Sequence, residues 1–139
     1  MRQAIDRLGI KGSVLVTSNR KPLLEYATNN STDTSYLINS VQKSMTAAMV
    51  MREVQKGKLS LDDPLSKFYP NVDGADNVKI SNLLTMTSGL DLETDQQLGT
   101  PEFISDEANI AHDAKYTVFD GRKLGKWHYT AVNYIYLCG

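Results

Sequence analysis

Between Asn39 and Lys56 the chain reads NSVQKSMTAAMVMREVQK, eighteen residues with no proline or glycine and small or apolar on most sides until Arg52. Val41, Met45, Ala48 and Met49 fall on one helical face, and Ala47, Val50, Met51 and Val54 widen it. A helix apolar most of the way round belongs in an interior, so a buried helix is expected over 39–56. Asn39 is the expected N-cap, with Gln42 three positions on as its capping-box partner. Gly57 supplies the C-terminal stop.

The other elements must be built around that helix. MRQAIDRLGIKG reads as a short amphipathic helix with Ile5, Leu8 and Ile10 near one face. GSVLVTS and LLEYAT, joined by the polar SNRKP, read as a β-hairpin. NNSTDTS is a polar loop, and SYLI a short extended run. KLSLDDP is a turn, with Pro64 at the first position of a short helix. VDGADN is loop, and ISNLLTMTSGL is a short helix closed by Ser88-Gly89. From Asp91 to Gly125 the pattern weakens; PEFISDEANIAHDA reads as helix and FDGRKLGK as a turn-rich connection. WHYTAVNYIYLCG is aromatic and apolar. At 139 residues, with no repeat or low-complexity segment, this is one modest domain.

Fifteen basic and sixteen acidic residues nearly cancel and are scattered, which argues against a nucleic-acid partner or an anionic membrane. Cys138 is the single cysteine and cannot form an internal disulfide. His112 and His128 lie far from any cysteine pair, so neither a metal site nor a cofactor is expected. No stretch is long and apolar enough to span a bilayer, and the N-terminus lacks the apolar core of a signal peptide. An exported protein reads the same way once its leader is removed.

Chemistry concentrates at Ser40-Val41-Gln42-Lys43. Residues three apart on a helix share a face, so the Lys43 amine falls beside the Ser40 hydroxyl. A serine hydroxyl needs an adjacent base to become a nucleophile. Bringing a lysine from about 10.4 to roughly 7 means destabilising its cation by about 4–5 kcal/mol. The helix dipole supplies only about 0.3–1 kcal/mol of that, so burial or neighbouring cations must supply the rest. The helix N-terminus also offers backbone N–H groups, that of Ser40 included, to a developing oxyanion. The pattern alone is weak, and a second copy stands at Ser18-Asn19-Arg20-Lys21. That copy falls in the hairpin turn, where no helix fixes the pair, and is set aside. Taken by themselves, Ser40 and Lys43 read sooner as a helix cap and a solvated lysine than as a catalytic pair.

The surroundings resolve this. SVQKSMTAAMVMREVQ is followed by GKLSLDDP (Gly57–Pro64) and LLTMTSGL (Leu83–Leu90), in order and at short spacings. From about Gly12 to Gly139 the chain resembles the serine β-lactamase and penicillin-binding protein superfamily. Within it, the resemblance is to the branch of class C β-lactamases, D-alanyl-D-alanine carboxypeptidases and related esterases. It implies an α+β fold, with a helical lobe and an N-terminal β-hairpin belonging to an antiparallel sheet. Residues 1–139 would be the N-terminal portion of one such domain, without the C-terminal strands and helix. It also implies Ser40 as nucleophile, Lys43 as its partner and Tyr129 of WHYTAVNYIYLCG as the tyrosine of a Y-x-N motif that shares the proton transfer. A phenol titrates near 10, and a neighbouring lysine cation stabilises the phenolate. Without the resemblance, Tyr129 reads as a core aromatic beside Trp127 and Tyr134.

Three departures stand out. The motif's asparagine position is Ala131, and Asn133 reads as a structural residue of the following helix. Met86 replaces the histidine of many relatives and reads as core packing. The third motif, Lys or His followed by x-Gly, lies beyond Tyr129 in the family and has no counterpart here. The resemblance therefore suggests a serine acyl-transfer hydrolase of D-Ala-D-Ala peptides, β-lactams or small esters, present as an N-terminal piece, with an inert fragment as the alternative. Its implied partner is a small-molecule or peptidoglycan-peptide substrate, its location the cell surface or periplasm. Self-association or complementation by a C-terminal part is expected to cover exposed apolar surface.

Overall fold

The computed structural model describes residues 2–93 and 105–138. The chain divides into two compact units, residues 1–39 and 40–139.

The first unit holds helix α1 (Arg2–Arg7) and strands β1 (Gly12–Ser18) and β2 (Lys21–Thr28). The strands pair antiparallel from Gly12↔Thr28 to Ser18↔Lys21, with a register shift between Val16 and Thr17. Pro22, which has no N–H to give a ladder, sits opposite Thr17 at that irregularity. Asn19 and Arg20 form the two-residue turn with φ of 50° and 63°, the left-handed pair whose twist matches the strands. Ile5 is buried, and Tyr26 donates to the Asp6 carboxylate. Leu8 and Ile10 do not share its burial as expected: α1 stops at Arg7, and the backbone turns through Gly9 at φ 62°.

In the second unit, helix α2 (Lys43–Gln55) follows a 3₁₀ turn at Asn39–Gln42, and a short 3₁₀ turn at Leu65–Lys67 precedes α3 (Ile80–Leu84). Then come β3 (Leu90–Leu92), α4 (Asp106–Ala114), β4 (Thr117–Phe119) and α5 (Val132–Ile135). The core gathers Val50, Leu65, Val78, Leu83, Leu90, Ile110, Val132 and Tyr136. The GKLSLDDP turn closes on itself through Ser60 N–H to Asp63 Oδ2 at 2.9 Å, and its Leu61 and Asp63 carbonyls accept from Ser81 and Ile80. It thereby fixes where α3 starts. Pro64 precedes the 3₁₀ turn as its cap instead of opening it. Ser105 caps α4 by accepting from Ala108 N–H at 3.2 Å, and residues 101–104 of the expected helix lie outside the described residues.

Two expectations about the central helix are corrected. Asn39 does not cap it with Gln42: Asn39 has φ 42°, the chain first winds as a 3₁₀ turn, and α2 starts at Lys43 with no side-chain cap. Nor is the helix interior all round. It buries Thr46 and Val50, while Val41, Met45 and Met49 are each more than 60% exposed. One stripe suffices to reach the core; Ala47 and Val54 are partly buried, and Met51 is exposed like Val41, Met45 and Met49. The β3–β4 ladder, Leu90↔Phe119 to Leu92↔Thr117, was not foreseen, because three-residue strands carry no readable alternation. Among the described residues no helix is long and apolar enough to cross a membrane.

Candidate active site

Ser40 stands in the 3₁₀ turn and Lys43 at the first position of α2, so consecutive turns of one chain segment hold both. Lys43 Nζ donates to Ser40 Oγ at 3.1 Å. Tyr129, on the extended segment before α5, donates its hydroxyl to the same Oγ at 2.5 Å. The three residues named from sequence and resemblance thus meet at one oxygen. Ser18 and Lys21, the discarded pair, face each other across the hairpin turn.

Lys43 is partly buried, and Nζ lies 5.5 Å from the ring centre of Tyr129 and 5.7 Å from that of Tyr134. Aromatic faces attract a cation. The Tyr129 phenol is held below its ordinary value, first by its hydrogen bond with Ser40; burial opposes this, and the hydrogen bond and charge of Lys43 add to the lowering. Half of Tyr129 is exposed, so it is not a core aromatic, and Trp127 beside it is more exposed still.

The LLTMTSGL segment positions that tyrosine through main-chain bonds. Gly89 O accepts from Asp120 N–H at 2.9 Å, Thr87 O from Gly125 at 2.8 Å, and Met86 O from His128 at 2.8 Å. Glycine is required at 89: φ is 74°, and a Cβ there would stand 2.7 Å from Asp120 O. Beside it, Ser88 Oγ donates to Asn133 Oδ1 at 2.6 Å and accepts from Leu90 N–H at 3.0 Å, all buried. Asn133 is therefore structural, as expected, and no side-chain amide stands at Ala131. Met86 is buried, though outside the main apolar cluster, and takes a left-handed φ of 58°.

One contact escaped the sequence reading. His128 Nε2 lies 3.0 Å from Asp91 Oδ2, and Lys123 Nζ lies 3.5 Å from the same atom. Burial pushes the Asp91 carboxyl up, but the hydrogen bonds from His128, the Leu92 amide and Lys123 leave it below its ordinary value. Residues 37 apart in sequence give no local signal for such a pair. Among the described residues no cluster of three or more His, Cys, Asp or Glu side chains is arranged to hold a metal ion.

A sequence profile of the family described as Beta-lactamase matches residues 1–139. The chain belongs to the beta-lactamase family. It is 28% identical over 96 residues to the putative penicillin-binding protein PbpX of Bacillus subtilis (strain 168), covering 62% of this chain and 24% of that protein. It is 37% identical over 73 residues to a beta-lactamase of Providencia stuartii, covering 47% and 19% respectively. Esterase EstB of Burkholderia gladioli is 41% identical over 64 residues, covering 42% and 16%. The matches thus span a quarter or less of these relatives' length. Among solved structures, FmtA of Staphylococcus aureus superposes with a TM-score of 0.82 at 21% identity, over 98% of this chain and 39% of FmtA. D-amino acid amidase of Ochrobactrum anthropi superposes at 0.60 and 23% identity, over 73% and 28%. The fold is the expected α+β one, and the chain corresponds to the N-terminal part of it.

Proposed function

We propose that this chain carries the nucleophilic half of a serine acyl-transfer hydrolase. The observation that supports this reading is the convergence of Lys43 Nζ and Tyr129 OH on Ser40 Oγ. In the reactive form Tyr129 has given up its phenolic proton, and the Lys43 ammonium stabilises the phenolate. Ser40 Oγ bonds to the carbonyl carbon as its proton passes to Tyr129. The tetrahedral intermediate then expels the leaving group, which takes that proton. Water attacks the acyl-enzyme by the same route and frees Ser40. Lys43 serves as the charge beside the phenolate, with Nζ set against the rings of Tyr129 and Tyr134.

The substrate classes are acyl donors of the kinds processed by its relatives: β-lactams, D-Ala-D-Ala peptides of peptidoglycan, or small esters and amides. Such substrates put the protein at the cell surface or in the periplasm. The exposed Val41, Met45 and Met49 suit a covering surface, from a second copy or from a C-terminal complement.

A second reading, an inert relative, is favoured by Ala131, which leaves the tyrosine motif without its amide. Incubation with a fluorophosphonate or a fluorescent penicillin, followed by mass spectrometry, separates the two. An adduct on Ser40 that disappears in Ser40→Ala supports the hydrolase; no adduct, where a full-length relative reacts, supports the inert form.

A further inference from the structure

The residue before the proposed base is held at two points. His128 N–H donates to Met86 O at 2.8 Å, and its ring Nε2 lies 3.0 Å from Asp91 Oδ2. A carboxylate can only accept, so Nε2 is the donor there. Asp91 is itself fixed. It lies in β3, paired with Val118 of β4, and its Oδ1 accepts from the Leu92 amide at 3.0 Å. That leaves Oδ2 for His128 and, at 3.5 Å, for Lys123. The chain around Tyr129 is sparsely tied by comparison. Among the described residues Trp127, Tyr129 and Thr130 make no amide-to-carbonyl bond, so His128 is the anchored residue next to the tyrosine. Its side chain is 44% exposed and that of Asp91 37%. An ion pair so open to solvent adds little to stability. Its place matters more: rotation of residue 128 swings the side chain that follows, and a reacting group displaced by about 1 Å can lose about 100-fold in rate.

We propose that the Asp91–His128 contact is a tether that holds the Tyr129 hydroxyl on Ser40 Oγ, with His128 and Asp91 as positioning residues for the base. Its effect on rate rests on the hydrolase reading above. Among the described residues neither side chain hydrogen-bonds Ser40, Lys43 or the Tyr129 hydroxyl, so each acts through the backbone of residue 129.

The test follows Ser40 modification by a fluorophosphonate, read by mass spectrometry, together with the Tyr129 phenolate absorbance, read as the difference from Tyr129→Phe. His128→Ala should slow modification about tenfold. It should also move the Tyr129 titration upward, because the bond with Ser40 is the first cause of the lowered value. Asp91→Ala should do the same, and the double variant no more than either alone. His128→Gln, whose amide can still donate to Asp91, should keep both readings near those of the unaltered chain. In a Tyr129→Phe background His128→Ala should slow modification no further. A Tyr129 titration unmoved by His128→Ala, or an equal slowing in the Tyr129→Phe background, overturns the tether and leaves the hydrolase reading standing. A Ser40 that no reagent modifies overturns the hydrolase reading, and the titration then decides the tether by itself.

Discussion

Tyr129 and Ser40, 89 residues apart, share a 2.5 Å hydrogen bond, and Lys43 reaches the same serine oxygen from one helical turn away. Because the two donors approach from different segments, each can be removed without unseating the other. Under the proposed function, Tyr129→Phe should slow Ser40 acylation by a fluorophosphonate about 100-fold or more, the lower end of what general base catalysis contributes. Lys43→Ala should slow it comparably while leaving the folded state intact by circular dichroism.

The same geometry sets a pH dependence. Tyr129 titrates below its ordinary value of 10, and its phenolate is the proposed base. Acylation should therefore rise with pH and level off once the phenol has ionised. Ser40→Ala removes the largest lowering influence, so the Tyr129 titration, followed by phenolate absorbance, should move upward. Lys43→Gln should move it the same way. A titration that stays in place in both variants contradicts the proposed coupling.

The buried bond from Ser88 to Asn133 anchors the start of α5 to the LLTMTSGL segment. Ser88→Ala strands the Asn133 acceptor and should cost about 1–3 kcal/mol in urea unfolding. Replacing both with apolar residues should cost less than the sum of the single changes, as expected when one interaction is shared.

Acid should loosen the connection after β4. The Asp120 carboxyl is held at about 2 by its hydrogen bonds with the Arg122 side chain and amide, and Asp91 is also depressed. A depressed carboxyl gives stability that is present above its unfolded value and lost as pH falls through the folded one. The loss from Asp120 should thus fall between its ordinary value of 3.8 and about 2, and Asp120→Asn should flatten the melting curve's pH dependence over that range.

What the sequence revealed follows from distance along the chain. Ser40 and Lys43 were legible because one helical turn brings them together, and the hairpin because its strands and turn are contiguous. Tyr129 was found only through resemblance, since no local rule joins it to a serine so far upstream. The Asp91–His128 pair escaped for the same reason, and the β3–β4 ladder because three-residue strands carry no readable alternation. The central helix was misjudged differently: its composition records apolar faces but not whether anything lies over them. Its start was misjudged because the favoured capping residue Asn39 sits in a 3₁₀ turn.

The residues leading to Tyr129 are tied down by amide-to-carbonyl bonds at Met86, Thr87 and Gly89, beside the side-chain contacts of His128 and Lys123 with Asp91. Such main-chain anchors do not depend on side-chain identity, provided positions 89 and 125, both at left-handed φ, stay glycine. Mutational drift elsewhere in 120–127 can therefore change charge and shape around the entrance while the phenol keeps its station, so tolerance for variation is built into the approach to the nucleophile.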